Sequence, residues 1–167
     1  MSLTIRKSKE SDIPSMLEMV SESRKTMRDN GNIHQWSDSY PSSQTMMDDI
    51  NNGVSYIIED NGQPVGTFAF IEGPDITYRK IYNGCWINNT MPYYVIHRIA
   101  SLQRFHGIFK TMIDYCFSKT NNIRIDTHHD NKIMINLLKR YEFIYCGIIH
   151  LLNGDERIAF QKIKSRD

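Results

Sequence analysis

The segment that most constrains the fold is residues 93–116, where the hydrophobic pattern changes period within one run. Residues 93–102 are rich in β-branched and aromatic side chains and contain neither Gly nor Pro, which predicts a strand buried on at least one face. The apolar residues that follow recur at helical spacing, and they are Ile108, Phe109, Met112, Ile113, Cys116 and Phe117. The segment is therefore predicted to be a strand that turns near Gly107 into an amphipathic helix.

The turn at residues 104–108 has the chemistry of an anion site. The first N–H groups of a helix lack intrahelical partners, and the helix dipole is positive at that end. Arg104, His106 and Lys110 would add positive charge. The turn therefore predicts phosphate binding, and the alternative is an ordinary β–α connection with solvated basic side chains.

The rest of the chain supplies hairpins and a second strand-to-helix unit. Asn61-Gly62 is a strong hairpin signal and predicts antiparallel strands at residues 54–60 and 63–72. Residues 123–128 alternate as a strand, and Asp130 or Asn131 can cap the helix that follows. The predicted order is β-α-α-β-β-β-α-β-α-β-β. Because hairpins lie beside β-α-β units, we expect a mixed sheet of the α/β or α+β class.

Composition and charge narrow the class of protein. A length of 167 residues fits one domain, residues 1–167, and 40% hydrophobic with 23% charged residues is a globular composition. A net charge of +1 gives no reason to expect a nucleic-acid or membrane partner. Three widely spaced cysteines fit neither a metal site nor a disulfide framework, so we expect reduced thiols in a cytoplasmic protein.

The two strand-to-helix units are consecutive in the chain, which has a consequence for ligand binding. If their strands lie side by side and then diverge, the gap between them is a slot beyond the carboxyl ends of the strands. Ligands of α/β proteins bind at such points. The sequence therefore predicts a ligand slot between residues 93–102 and 123–128.

The Arg104-x-x-Gly107 turn, followed by a strand, a helix beginning at Asn131 and a terminal hairpin, resembles the GCN5-related N-acetyltransferase (GNAT) superfamily. The likeness covers nearly the whole chain, and residues 126–131 and 157–162 are similar to bacterial members known only as acetyltransferases. It implies a mixed, mostly antiparallel sheet of about seven strands with about four helices. It also implies transfer of the acetyl group of acetyl-CoA to a primary amine, by direct attack in a ternary complex.

The resemblance also implies positions for the cofactor. The residues matching the turn whose amides hold the pyrophosphate are Arg104, Phe105, His106, Gly107, Ile108 and Phe109. Ile99, Ala100 and Ser101 match the strand end that pairs with the pantetheine arm, and Asn131 matches the helix-start asparagine near the cofactor. The acceptor would be a small-molecule or peptide amine, and the superfamily suggests a homodimer.

Two positions depart from the superfamily at the chemistry. Leu138 stands where many members carry a tyrosine acid, and Tyr93 or Tyr94 stands where a glutamate base is common. His97 is in the same strand and titrates in a useful range, so it is the candidate base. The alternative for His97 is a sheet-face histidine bonded to a neighbour.

Trp36 and Tyr40 are candidates for the acceptor entrance, although loop aromatics also cover the edges of cores.

Strand alternation would place His128 and His129 on opposite faces, so no metal site is expected. Two further hypotheses stay open: a non-catalytic acyl-CoA-binding or sensing module, and an interaction domain without a cofactor.

Overall fold

The computed structural model describes residues 2–165. The strands are β1 (Leu3–Lys7), β2 (Ser55–Asp60), β3 (Gln63–Glu72), β4 (Tyr94–Ser101), β5 (Asn122–Thr127), β6 (Ile144–His150) and β7 (Glu156–Ile163). The helices are α1 (Ile13–Asp29), α2 (Ser43–Asn51), α3 (Ile108–Lys119) and α4 (Lys132–Arg140), with short 3₁₀ turns at Glu10–Asp12 and Ile76–Tyr78. The predicted order of strands and α-helices is confirmed.

All seven strands form one sheet in the order β1-β2-β3-β4-β5-β7-β6. Neighbouring strands are antiparallel except β4 and β5, which are parallel. This confirms the predicted mixed, mostly antiparallel sheet flanked by four helices. The parallel pair lies at the centre, where a crossover through α3 connects its strands.

The parallel pair comes apart soon after it begins. Its ladder contains only the pairs Tyr94 with Ile123 and Val95 with Arg124. On the other side of β4, the register with β3 shifts between Thr67 and Ala69, and Arg98 has a positive φ of 54°. A bulge of this kind increases local bending and twist. β4 therefore bends away from β5, and a wedge opens between their carboxyl ends.

Alternation along the strands divides the core between the two faces of the sheet. Ile58 and Ile96 pack in the cluster beneath α3 and α4, whereas Ile57 packs with methionines of α1 and α2. Val95 packs in a third cluster with Tyr78 and Trp86, which come from the segment between β3 and β4. Because side chains alternate between the two faces of a strand, α3 and α4 pack on one face of the sheet and α1 and α2 on the other.

A buried arginine fastens the segment between β3 and β4 to the sheet. Arg124 of β5 is 2% exposed, and its guanidinium carbon lies 4.0 Å from the Trp86 ring centroid and 3.9 Å from that of Tyr93. Its Nη2 donates a hydrogen bond to the Asn88 carbonyl at 3.0 Å. Stacking between the Trp86 and Tyr93 rings stabilises the guanidinium charge, and no carboxylate among residues 2–165 pairs with it.

Among residues 2–165, every helix is too short or too polar to cross a lipid bilayer. The three cysteines are free thiols, with Cys85 exposed and Cys116 and Cys146 buried.

Candidate active site

A cavity of about 140 Å³ lies beyond the end of β4, between the first turns of α3 and α4 and the last turns of α1. β4 contributes Ile99, Ala100 and Ser101 to its wall, and the start of α4 contributes Asn131. Past Val95, the edge of β4 that faces β5 has no ladder partner, so the backbone groups of Ile99 face the opening, whereas those of Ala100 point to Thr67 of β3. The residues that the sequence placed in the slot are thus brought together.

The turn before α3 presents backbone amides outward. Gly107 is the N-cap of α3, with φ 77° and ψ 2°, and no side chain caps the helix. Phe105 and Phe109 are half-buried and pack against the core beneath α3, and the Phe109 ring lies 5.2 Å from that of Tyr141. A Cβ built on Gly107 meets only Leu3, at 3.9 Å. The aromatic side chains therefore leave the outer surface of the turn open.

Two neighbouring side chains of α1 bind the chain just before this turn. The backbone N–H of Gln103 donates to Glu22 Oε2 at 2.9 Å, and Arg104 Nη1 lies 3.9 Å from Glu22 Oε1. The backbone N–H of Ser101 donates to Ser23 Oγ at 3.0 Å. No sequence pattern indicated Glu22 or Ser23, because their roles depend on how α1 crosses the end of β4.

A second and larger cavity, of about 660 Å³, adjoins the first. The two cavities share four lining residues: Met27, Ile99, Asn131 and Met134. His97, Asp75 and Asp126 lie in the wall of the larger cavity. A slot for an extended ligand thus opens onto a chamber with titratable side chains.

His97 lies between two carboxylates in this chamber. Its Nε2 is 3.1 Å from Asp75 Oδ2, and its Nδ1 is 3.8 Å from Asp126 Oδ2. Because an ionised carboxylate only accepts hydrogen bonds, Nε2 carries the hydrogen and Nδ1 is left as an acceptor. His97 is thus bonded to a neighbouring carboxylate and also faces the cavity.

Hydrogen bonds from neighbouring residues hold the carboxylates of Asp75 and Asp126 in place. Burial alone would raise the pKa of Asp75, but hydrogen bonds from His97 and Thr77 outweigh it and lower the pKa to about 2. The hydroxyl of Tyr78 donates to Asp126 Oδ2 at 2.6 Å. Burial and the nearby Asp126 raise the pKa of Tyr78 well above its usual range, so this hydroxyl stays protonated.

The loop between α1 and α2 covers the chamber. Trp36 packs in the core cluster of α1 and α2 and also lines the cavity, whereas Tyr40 is exposed at its rim. Gln35 Oε1 accepts a hydrogen bond from Asn131 Nδ2 at 3.0 Å, and Asn131 Oδ1 accepts one from the Met134 N–H at 3.1 Å. Asn131 therefore caps α4 and anchors the loop.

Comparison with known proteins decides the family. Neither a scan against protein-family models nor a search of curated proteins gives a match. A solved GNAT-family acetyltransferase from Streptococcus agalactiae is 30% identical, with a TM-score of 0.88 over 98% of this chain and 96% of the other. The chain belongs to the GNAT family of acetyltransferases.

Two more distant structures share the GNAT fold. A putative acetyltransferase from Staphylococcus aureus is 23% identical, with a TM-score of 0.69 over 96% of this chain and 98% of the other. A NatC complex bound to a Gag peptide and CoA is 16% identical, with a TM-score of 0.59 over 99% of this chain and 100% of the other. At these identities the likeness is one of fold.

Leu138, one of the two positions that depart from the superfamily, lies away from the slot. Leu138 is 0% exposed and lies in the core beneath α3 and α4. Tyr141 follows the last turn of α4 and packs against Phe109. Arg104 and His106 are exposed, and neither lines a cavity described above. No tyrosine of α4 therefore replaces the acid that other members carry.

The alternation argument for His128 and His129 was wrong. β5 ends at Thr127, so both residues lie in the turn before α4, where their rings stack 4.3 Å apart. Ligand atoms of His128, His129 and Asp130 lie within 4.8 Å of one another. Burial, and then the neighbouring His129 and Arg157, lower the pKa of His128.

Proposed function

We propose that this GNAT protein is an N-acetyltransferase that moves the acetyl group of acetyl-CoA to a primary amine in a ternary complex. The observation that carries the proposal is the junction of the two cavities at Ile99. One cavity is a slot beside a free strand edge, and the other contains His97 and two carboxylates. A thioester held at the junction would face both.

The pantetheine arm would lie along β4 in the slot. The backbone groups of Ile99 face the opening, whereas the Ser101 N–H is already bound to Ser23. Asn32 supplies a further contact, because its Oδ1 is buried, has no hydrogen-bond partner within residues 2–165, and belongs to a residue that lines the slot. A buried acceptor without a partner is costly, and an amide N–H of pantetheine would satisfy it.

The pyrophosphate would bind at the start of α3. The N–H groups of Gly107, Ile108 and Phe109 lie at an uncapped helix N-terminus, where the helix dipole favours an anion. Because Phe105 and Phe109 pack inward, two phosphate groups can approach the backbone closely. Arg104 and His106 are exposed on the same turn, where their basic side chains would lie near the bound pyrophosphate.

The chamber would bind and activate the amine. Asp75 and Asp126 attract the ammonium form, and His97 Nδ1 accepts the proton that the amine must lose. The amine nitrogen then attacks the thioester carbonyl carbon and the C–S bond breaks. The nitrogen releases its second proton to water as the amide forms, and CoA leaves as the thiolate. The thiolate would take its proton from water, since Leu138 provides no hydroxyl.

Acetyl-CoA binding is tested by thermal unfolding, because a ligand that binds only the folded state raises the midpoint. We expect millimolar acetyl-CoA to raise the midpoint by several degrees, and Gly107→Glu to abolish the rise by placing a carboxylate at the turn. Gly107→Ala is the matched control, since it introduces the same backbone strain without a charge, and it should keep the rise. No rise in the unmodified protein would refute the proposal.

Turnover separates catalysis from a sensing role. CoA thiol release with a panel of primary amines would show an acetyltransferase. The buried Leu138, which leaves no acid beside the thioester, favours the second candidate, an acyl-CoA-binding module. Tight binding of acetyl-CoA without release for any amine would support that module.

A further inference from the structure

Arg157 of β7 is a buried cation without a carboxylate partner in the wall of the larger cavity. Only 7% of the Arg157 surface is exposed. Its guanidinium donates only to two carbonyl oxygens, from Nη1 to Glu156 at 2.8 Å and from Nη2 to Gln35 at 3.4 Å. Within residues 2–165, no carboxylate oxygen lies within 4.0 Å of it. Since a guanidinium has five N–H groups, most of its donor capacity is unused.

Two half-buried arginines are neutralised by carboxylates within the chain, whereas the buried Arg124 is stabilised by the rings of Trp86 and Tyr93. Arg98 also lines the cavity, but its Nε and Nη2 both donate to Asp49 at 2.7 Å. Arg6 is paired with Asp12 and Glu59. Burying an unpaired charge is costly, and an arginine fork matches a carboxylate in a bidentate geometry. Arg157 thus offers the cavity a carboxylate site.

The cation lies beside the acidic part of the same cavity. Asp126 pairs with Ala159 across β5 and β7, and Arg157 is two residues from Ala159 on the same strand face. Side chains in this diagonal relationship are about 7–8 Å apart at the sheet. A positive site and a negative site therefore stand a short distance apart in one chamber, with Trp36 and Gln35 in its wall.

We propose that the acceptor is a small amino acid-like zwitterion, with its carboxylate on Arg157 and its amine at His97, Asp75 and Asp126. This inference rests on the proposed function, because it names the substrate class of that site. A peptide N-terminus lacks the nearby carboxylate, since its carboxyl group is in an amide bond. The chamber of about 660 Å³ is large enough for a free amino acid.

The test compares each proteinogenic amino acid with its primary amide, as acceptors for acetyl-CoA. The two members of each pair share a side chain and an α-amino group and differ at the carboxyl group. For the best acceptor we expect kcat/KM for the acid to exceed that for the amide by about 50-fold, as for a hydrogen-bonded charged group. Arg157→Met should lower kcat/KM for the acid by a similar factor and leave the amide within about threefold. Arg140→Met, an exposed arginine at the end of α4, is the control and should change neither.

Binding gives a second measurement that needs no turnover. In the presence of CoA, the free acid should raise the unfolding midpoint of the unmodified protein and the amide should not. Equal effects of acid and amide, no effect of either, or discrimination that persists in Arg157→Met would overturn the zwitterion assignment. Acetyl-CoA alone reports on the proposed function, so a midpoint rise with acetyl-CoA beside a failed acid–amide comparison refutes only the inference about the acceptor.

Discussion

Glu22 accepts a hydrogen bond from the backbone N–H of Gln103 at 2.9 Å, which places a carboxylate of α1 at the turn before α3. The same carboxylate lies 3.9 Å from the Arg104 guanidinium. An acyl-CoA pyrophosphate bound at residues 105–109 would meet this negative charge nearby. Glu22 therefore competes electrostatically with the ligand that the turn is proposed to hold.

Replacing this carboxylate should strengthen acyl-CoA binding. Glu22→Gln keeps an acceptor for the Gln103 N–H and removes the charge. Two unit charges near a protein surface repel by about 1 kcal/mol or more, so we expect the Kd for CoA to fall about fivefold. Isothermal titration calorimetry at low salt measures the change, and added salt should reduce it because screening weakens the repulsion.

The control for Glu22 is Glu18→Gln, which removes an exposed carboxylate one turn earlier on α1. It should lower the Kd for CoA by less than Glu22→Gln does, since a charge one helical turn further from the ligand repels it less. Weaker CoA binding in Glu22→Gln would contradict the prediction. It would show that Glu22 serves to hold the turn in its binding shape.

The sequence predicted the fold well because local patterns determined it. The change of period around Gly107 and the hairpin at Asn61-Gly62 each depend on residues close in the chain, and the element order followed from them. The lining of the candidate slot could be predicted only where one segment carries it, as at Ile99 and Ser101. Contacts between distant segments gave no local signal. The bond between Glu22 and Gln103 joins residues 81 positions apart, and that between Arg157 and Gln35 joins residues 122 apart.

His97 should affect the chemical step more than cofactor binding. His97→Gln removes the proton acceptor, and general base catalysis contributes about 10²–10⁴-fold, so kcat should fall by about that factor. The KM for acetyl-CoA should change little, because His97 lines the larger cavity and not the slot. Steady-state kinetics with saturating amine measures both.

The acceptor itself provides the control for His97. An amine that is largely unprotonated at pH 7 needs less help from a base. The kcat measured with such an amine should therefore fall less in His97→Gln than the kcat measured with a protonated amine. Asp75→Asn should give a smaller loss of kcat than His97→Gln, because it removes the partner that orients the ring. Equal losses for all amines would show that His97 positions the acceptor without taking its proton.

Asp75 should contribute to acid stability. Its pKa is lowered from 3.8 to about 2 in the folded protein, so the folded state favours the ionised carboxylate. This contribution is complete above about pH 4 and is lost as the pH falls towards 2. Asp75→Asn should therefore lose less unfolding free energy between pH 4 and pH 2 than the unmodified protein does, as measured by urea unfolding.

Asp38→Asn is the control for the acid-stability measurement. The Asp38 side chain is 88% exposed and pairs with Arg28 at the surface. Exposed pairs contribute little to stability, so this variant should follow the unmodified protein across the same pH range. Asp12, whose pKa is lowered chiefly by its hydrogen bond with Arg6, keeps some acid sensitivity in every variant. An Asp75→Asn curve parallel to that of the unmodified protein would contradict the assignment.

Restoring the family's tyrosine at position 138 should damage the protein without improving catalysis. Leu138 is 0% exposed in the core beneath α3 and α4, where a larger ring and a hydroxyl have no room. Overpacking costs about 1–3 kcal/mol, which lowers the unfolding midpoint by about 2–10 °C in a chain of this size. Leu138→Met conserves volume and should cost less than about 1.5 kcal/mol. If Leu138→Tyr kept its midpoint and raised kcat, the side chain at this position would reach the thioester, and thiolate protonation by water would no longer account for turnover.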